Sequence, residues 1–220
     1  ELFIEIGYIL PKFVPKKSIC FVHDMSSKKF PEAYSTKEKI LINRTYERAQ
    51  DASALVFISN QTKKDYLKYY SNYSGKSFVI YPGYNNTLYE KIIRPRDVLN
   101  LKSDYILSLG RIEKRKNIKN LIAAYSIYCK KNGYDTKLVL AGKPGYGYDQ
   151  ICKTINNLDA ETKSNIITPG YIAENELPNL YAKAKLFIFP SLYEGFGIPI
   201  IESMACGTPV ICSKTSSLPE

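Results

Sequence analysis

The sequence predicts an α/β protein with two parallel, doubly wound sheets. Short apolar runs rich in Val, Ile and Phe alternate along the chain with amphipathic helical patterns, the order expected of parallel strands joined by helical crossovers. The alternation breaks over residues 84–103, where Asn pairs and mixed charge replace any clear periodicity, and it restarts at Tyr105. Two Rossmann-like halves, each incomplete, follow from this pattern.

The first half contains alternating strands and helices. Its buried runs predict strands at residues 18–24, 54–59 and 77–83, and its amphipathic patterns predict helices at 36–52 and 60–70. The first strand ends at His23, and Asn60 opens the second helix. The predicted division of the chain is a first domain over residues 1–93, a linker over 94–103 and a second domain over 104–220.

The second half repeats the alternation. Strands are predicted at residues 105–110, 137–142, within 165–172, at 185–191 and at 209–213, and helices at 117–133, about 147–158, 174–184 and 197–207. The first of these helices has Ile118, Leu121, Ile122, Tyr125 and Tyr128 on one face and stops at Gly133. Pro178 and Pro199 suit the first turns of the last two helices, and Gly207 caps the last.

Composition limits the partners and the compartment. A net charge of +10 favours anionic partners. Five cysteines without a C-x-x-C pair argue against a disulfide framework or a zinc site and favour a reducing cytosol. The sequence shows neither an apolar run of membrane-spanning length nor a signal peptide. It begins at Glu1 rather than Met and stops just after a predicted strand, so we expect a fragment.

Cations follow the strand of residues 105–110. Arg111 comes directly after Gly110, and Arg115, Lys116 and Asn117 precede a predicted helix. Ligands of open α/β sheets bind beyond the carboxyl ends of the strands, and helix N-termini with Arg or Lys favour phosphate. A solvated turn at residues 114–116 is the alternative.

Two carboxylates flank an apolar, glycine-containing stretch, YEGFGIPIIESMACG. Glu194 lies in the predicted loop after a strand, with Gly195, Phe196 and Gly197 behind it, and Glu202 lies about one turn into the next helix. Glycines let backbone N–H groups approach a ligand closely. An acidic residue near a nucleotide commonly accepts hydrogen bonds from ribose hydroxyls. A loop carboxylate and a solvent-facing helix residue are the alternative.

The motifs together resemble one family. FPSLYEGFGIPIIESMACGTPVICS is similar to the signature of the retaining glycosyltransferases of group 1, known as family 4, which have the GT-B fold. ILSLGRIEKRKNIKNLIAAY resembles the G-R…R-K-N segment of that family. FVHDMSSKKFPEAY resembles the His-Asp and F-P-E segments of its mannosyltransferase-like members, and VFISNQTKKDYLKYY its S-x-x-T-K-x-D-L segment.

The resemblance implies a role for each candidate residue. In the family pattern, Glu194 contacts the donor sugar and Glu202 contacts the ribose hydroxyls. Arg111 and Lys116 neutralise the diphosphate. The resemblance also implies backbone contacts to the donor at Gly195, Phe196, Gly197 and Ile198, the nucleobase near Tyr171 and Ile172, and His23 reaching the donor sugar and the acceptor region. His23 is the only histidine, and a hydrogen-bonded structural residue is its alternative reading.

The implied activity is transfer of a hexosyl unit, mannosyl or glucosyl, from a nucleotide diphosphate sugar to a glycan or lipid-linked acceptor with retention of configuration. The alternatives are a non-catalytic or truncated nucleotide-sugar-binding chain, and an epimerase. The resemblance also implies that neither a cofactor nor a divalent metal is needed, and the sequence agrees, since it shows no Asp-x-Asp motif and no His/Cys ligand spacing.

The family's Gly-rich first strand and loop and its closing helices are not found in the sequence, so weak or no turnover is expected of this chain alone. Lys-rich runs at residues 12–17 and 28–39 would contact an anionic membrane at its inner face or form a solvated surface. We expect the chain to be cytoplasmic. We also expect that it does not bind nucleic acid, since the sequence contains no aromatic RNA-binding motif.

Overall fold

The chain forms two compact units in the computed structural model, which describes residues 2–7 and 10–220. The first unit comprises Glu1–Pro82, Tyr193–Gly197 and Lys214–Glu220, and the second comprises Gly83–Leu192 and Ile198–Ser213. Residues 1, 8 and 9, which fall within the predicted domain of residues 1–93, lie outside the described part.

The first unit contains a parallel sheet with helices. Its described strands are β1 (Phe3–Glu5), β2 (Ser18–Val22), β3 (Ala54–Phe57) and β4 (Lys76–Val79), and its described helices are α1 (Ser26–Lys29), α2 (Thr36–Ala49) and α3 (Asn60–Tyr69). The strands are hydrogen-bonded in the order β1-β2-β3-β4, all parallel. Every residue of β3 is buried, as expected for a central parallel strand covered on both faces.

Short polar side chains start the two longer helices of this unit. Ser35 accepts a hydrogen bond from the Glu38 backbone N–H, and the Glu38 carboxylate accepts one from the Ser35 N–H, which is a capping box before α2. Ser59 caps α3 by accepting from the Thr62 N–H at 3.0 Å. Asn60, predicted to open this helix, is therefore its first residue rather than its cap.

The second unit contains a larger parallel sheet. Its strands are β5 (Tyr105–Leu109), β6 (Lys137–Ala141), β7 (Ile166–Gly170), β8 (Leu186–Phe189) and β9 (Val210–Cys212), and its helices are α4 (Ile118–Asn132), α5 (Tyr148–Asn156), α6 (Ala160–Ser164), α7 (Leu177–Lys183) and α8 (Ile198–Ala205). The strand order is β7-β6-β5-β8-β9. The chain moves outward from β5 to β7 and then returns to β8 on the other side of β5. The switch point, where open α/β sheets bind ligands, therefore lies beside β5.

Helix α4 packs on this sheet with a face slightly different from the predicted one. Cys129 is buried at 1% exposure, whereas Tyr128, predicted on the buried face, is 37% exposed. Both positions continue the helical repeat from Tyr125, one by three residues and one by four, so the sequence spacing alone does not choose between them. The helix ends at Gly133 as predicted, with φ of +85°.

Candidate functional site

The strands of the second unit end in tightly packed backbone. Gly142 follows β6 with φ of +138°, and a Cβ atom at this position would lie 1.9 Å from the carbonyl oxygen of Gly110, which follows β5. The Gly142 N–H donates to the carbonyl of Gly170, at the end of β7, at 2.7 Å. Only glycine fits at residue 142, so the carboxyl ends of β5, β6 and β7 are held together there.

Lys116 lies against the end of β5. Its Nζ is 4.6 Å from the centroid of the Phe189 ring, a cation–π contact, and its side chain passes close to Gly110. The neighbouring cations differ from it. Arg115 pairs with the buried Glu113 at 2.7 Å, and Lys114 is exposed. Lys114 therefore fits the alternative of a solvated turn, whereas Arg115 and Lys116 do not.

Arg111 and Lys116 are brought together at a small pocket beside the switch point. The pocket is lined by residues at the ends of β5, β6 and β8, among them Ser108, Gly110, Arg111, Lys116, Ala141 and Ser191. Arg111 is exposed. Helix α4 begins just beyond, after Asn117 at φ of +59°, without a side-chain cap among the described residues. The arrangement offers two cations and the positive end of a helix dipole to an anion.

Glu202 sits in a half-buried position on α8, not on a solvent-facing side. The Tyr181 hydroxyl of α7 donates a hydrogen bond to Glu202 Oε2 at 3.0 Å, and the Tyr89 hydroxyl also interacts with this carboxylate. Burial raises the pKa of the Glu202 carboxyl above its ordinary value, and the two tyrosines lower it in part. Burial, followed by the charge of Glu202, raises the pKa values of both tyrosines.

Neither tyrosine was a candidate from sequence. Tyr181 and Tyr89 are fully buried, and their rings meet edge to face with centroids 6.2 Å apart. Tyr89 comes from the irregular stretch at residues 84–103, where no periodicity could indicate that a residue is buried. Tyr181 falls in a predicted helix, so its burial could have been expected, but its partner could not.

Tyr171 and Ile172 follow β7 directly. The Tyr171 ring is 64% exposed, and Lys143, which follows β6, holds its Nζ 4.7 Å from the ring centroid. Tyr171 and Lys143 thus lie at the carboxyl ends of the neighbouring strands β7 and β6. Ile198, the first residue of α8, is exposed.

In the first unit, His23 follows β2. Its Nε2 lies 2.7 Å from the carbonyl oxygen of Ile6. A carbonyl only accepts, so Nε2 must carry the proton of this hydrogen bond. The His23 backbone carbonyl also accepts from Thr62 Oγ1 at 3.4 Å.

The loop Tyr193–Gly197 packs beside His23 within the same unit. A Cβ atom at Gly195 would lie 2.0 Å from the His23 carbonyl oxygen, and Thr62 Oγ1 also lies 3.3 Å from the Gly195 carbonyl. Glycine at residue 195 therefore has a packing reason that is independent of any ligand. The Tyr193 hydroxyl donates to the buried Asp65 at 3.0 Å, which anchors the start of the loop.

Two serines hold the backbone around Glu194. The Glu194 N–H donates to Ser216 Oγ at 3.1 Å, and Ser217 Oγ donates to the Glu194 carbonyl at 2.9 Å and lies 3.1 Å from the Phe196 carbonyl. The Phe196 ring stacks on Tyr81 with centroids 5.5 Å apart. The sequence held no signal for these serines, because hydroxyl-to-carbonyl contacts between distant segments leave no local pattern.

The candidate residues thus fall into two groups. His23 and the loop of residues 194–197 belong to the first unit, whereas Arg111, Lys116, Tyr171, Ile172, Ile198 and Glu202 belong to the second. Over residues 2–7 and 10–220, no group of three or more His, Cys, Asp or Glu side chains is arranged to hold a metal ion. The helices in that part of the chain are all too short or too polar to cross a bilayer.

The chain is similar in sequence to a known family and to curated proteins. The chain matches the profile of the family described as glycosyl transferases group 1 over residues 89–220. It is 40% identical over 116 residues to O-antigen chain mannosyltransferase B of Escherichia coli, covering 53% of this chain and 30% of that protein. It is 31% identical over 222 residues to the serotype-specific mannosyltransferase WbdA of Escherichia coli, covering 94% of this chain and 26% of that protein.

A solved structure shares the fold. Anabaena Alr3699/HepE, in complex with UDP and glucose, is similar with a TM-score of 0.72 at 22% identity, covering 91% of this chain and 53% of that one. The chain therefore spans less than a third of the two curated relatives and about half of the solved structure. These matches confirm the fold class predicted from the sequence.

Proposed function

Because the chain belongs to the group 1 glycosyltransferases, we propose that it carries the donor site and part of the acceptor side of a retaining hexosyltransferase. The bond between the anomeric carbon and the diphosphate oxygen breaks, and the acceptor oxygen bonds to that carbon on the same face. The departing phosphate takes the acceptor proton. Mannosyl transfer is supported by the two curated relatives, and a nucleotide-sugar donor by the UDP and glucose in the HepE complex.

The observation that carries this proposal is the convergence of Arg111 and Lys116 on one pocket at the end of β5. Breaking the glycosyl–diphosphate bond builds negative charge on the leaving group, and cations already held in place stabilise that charge without reorganisation. Lys116 is held by Phe189 before any ligand arrives. The N-terminus of α4 adds its dipole.

The remaining candidates take roles around this diphosphate site. Glu202 accepts hydrogen bonds from the ribose hydroxyls, and Glu194 contacts the donor sugar. The nucleobase lies against the exposed ring of Tyr171. His23 contacts the donor sugar and the acceptor region from its place after β2. These are the roles that the family pattern implies for this chain.

In addition to these roles, backbone groups of Gly195, Phe196, Gly197 and Ile198 line the donor, and Ile172 flanks the base. We propose that no divalent metal is needed, because Arg111 and Lys116 supply the positive charge.

The acceptor is a glycan or a lipid-linked glycan. A cytoplasmic site of action is supported by the five free cysteines. Lysines at residues 12–17 and 28–39 would meet anionic lipids at the inner face of the membrane.

Calorimetric titration with GDP, UDP and ADP, without added metal, tests the donor site. We expect one of the three nucleotides to bind, and Lys116→Ala to weaken it by roughly ten- to a hundredfold, the effect of losing a charged hydrogen bond. Lys114→Ala is the matched control, because it removes the same charge from an exposed neighbour. It should change the dissociation constant less than about threefold.

Equal effects of the two substitutions would refute the assigned diphosphate site, since a diffuse positive surface would then explain the binding.

Transfer assays use the nucleotide sugar whose base binds in the titration. They distinguish a transferase from a chain that only binds a nucleotide sugar. Product formed with retained configuration supports the transferase. Donor binding without any transfer, in this chain and in a longer one containing it, would support a nucleotide-sugar-binding chain instead.

A further inference from the structure

We propose that a second pocket, wholly within the first unit, binds one neutral sugar ring of the acceptor; this deepens the proposed function and rests on it. The pocket is lined by Asp24, Ser26, Tyr34, Ile42 and Tyr46, and its volume is about 200 Å³. At roughly 30 Å³ per water molecule, this is space for about seven waters, which is room for one sugar ring. It will be called the Asp24 pocket.

The pocket lies where a ligand of this fold is expected. Asp24 is two residues beyond Val22, the last residue of β2, and directly follows His23. Parallel α/β sheets bind ligands beyond the carboxyl ends of their strands. A ring in the Asp24 pocket would therefore sit next to the residue proposed to contact the acceptor region.

The hydrogen bonds in the pocket have a defined direction. Asp24 Oδ1 accepts from the Ser26 N–H at 2.8 Å and from Ser26 Oγ at 2.6 Å. The Ser26 hydroxyl has a single proton, and it donates that proton to Asp24 Oδ1. The hydrogen bond between Ser26 and Tyr34 must then be donated by the Tyr34 hydroxyl. Tyr34 thus donates to Ser26 and Ser26 donates to Asp24, so the carboxylate is the last acceptor of this chain of hydrogen bonds.

Asp24 retains capacity for a ligand. A carboxylate has about four acceptor positions, and Oδ2 accepts no hydrogen bond from the part of the chain that the structure describes. No Lys or Arg of that part forms an ion pair with it, and Lys29, five residues further on, pairs with Asp65 at 2.9 Å. The carboxylate is thus an unneutralised acceptor at the edge of an open pocket.

This chemistry selects a class of ligand. Hydroxyl groups donate readily to a carboxylate, whereas phosphates and carboxylates are repelled by it. Ile42 and the two tyrosine rings supply the apolar surface against which the C–H face of a ring packs, as is usual for small-molecule pockets. The Tyr46 hydroxyl donates to the Asp24 carbonyl at 2.9 Å and fixes the backbone that carries the carboxylate.

A purely local role for Asp24 makes a different prediction. The Asp24 side chain accepts from the Ser26 N–H two residues further on, and Asp24→Asn keeps that oxygen acceptor and the side-chain shape. The substitution should therefore preserve the fold while replacing one carboxylate oxygen by an amide donor. Asp51→Asn, at an exposed position of the same unit, is the matched control for the charge change.

The test is titration of the ¹⁵N-labelled chain with methyl α-D-mannopyranoside, followed by NMR shifts. We expect saturable shifts at residues 24–46, weakened at least tenfold by Asp24→Asn and at least threefold by Tyr34→Phe, and unchanged by Asp51→Asn. Mannose 6-phosphate should bind more weakly than the neutral mannoside. Nucleotide titration of each variant, with melting curves, shows whether the fold and the donor site persist.

Mannoside affinity that is equal in wild type and Asp24→Asn, or absent from a chain that binds nucleotide, would overturn the Asp24 pocket while leaving the donor site standing. Mannoside binding with the expected losses, in a chain that binds none of the nucleotides, would instead overturn the donor proposal. Equal or tighter binding of mannose 6-phosphate would overturn the preference for a neutral ring.

Discussion

Replacing Tyr181 by Phe removes the hydroxyl that donates to Glu202 and nothing else. Hydrogen bonds to a charged group contribute about 1.5–3 kcal/mol to stability, and those to a neutral group about 0.5–1.5 kcal/mol. Because a carboxyl whose pKa is raised above 4.5 is mostly protonated at pH 4 and loses its proton at higher pH, we expect the substitution to lower the free energy of unfolding by about 0.5–1.5 kcal/mol at pH 4 and by up to about 1.5–3 kcal/mol at pH 8.

The sign of this pH dependence follows from burial. The pKa of Glu202 is raised in the folded chain, so the folded state holds its proton over a range where the unfolded state has lost it. The contribution of Glu202 to stability is therefore greatest below its ordinary pKa of 4.5 and falls as the pH rises towards the folded value. Losing the Tyr181 donor raises the folded pKa further, so the decline continues to a higher pH and its total size increases.

Urea unfolding at the two pH values, followed by circular dichroism, measures the effect. Tyr125→Phe is the matched control, because this buried hydroxyl donates to the backbone carbonyl of Thr136 at 2.8 Å in the same unit. Its loss should cost about 0.5–1.5 kcal/mol at both pH values. A Tyr181→Phe cost that is the same at pH 4 and pH 8 would refute the assignment of Glu202 as a buried, tyrosine-held carboxylate.

Two further predictions concern the loop of residues 193–197. Gly195→Ala places a methyl group against the His23 carbonyl and should destabilise the first unit by about 1–3 kcal/mol, measured as a lower melting temperature. Gly83→Ala is the control and should be nearly neutral, because the space around Gly83 is open. An unchanged melting temperature would disprove the close packing at Gly195. Ser216→Ala removes the acceptor of the Glu194 N–H and should speed hydrogen exchange of that amide severalfold; unaltered exchange would show that the contact does not hold the loop.

The sequence predicted most of the helices and strands because their signals are local. The apolar run at β3 and the amphipathic pattern of α2 each lie within a single short segment of the sequence. Strand β1 was not predicted, since three residues are too few to show an alternating pattern. Strand and helix ends differ from the predicted ones by up to four residues, the largest difference being at β4, which ends at Val79 rather than at residue 83, because fraying and capping decide where an element ends.

The site was predictable only in part, for a related reason. Arg111 and Lys116 could be placed together because both follow one strand, and the carboxyl end of a strand is a known position. The surroundings of Glu202 could not be predicted, because they depend on Tyr89, more than a hundred residues earlier in the chain. Side chains that meet through the fold, rather than through spacing, leave no trace in the linear pattern.

The buried position of Tyr89 also affects any exchange of the second unit between members of this family. A chimera joined at residue 94, where the linker was predicted to start, would keep Glu202 and Tyr181 but inherit a foreign side chain in the place of Tyr89. The family profile begins at residue 89, and the second compact unit begins at Gly83. A junction before Gly83 transplants the carboxylate together with both of its tyrosines.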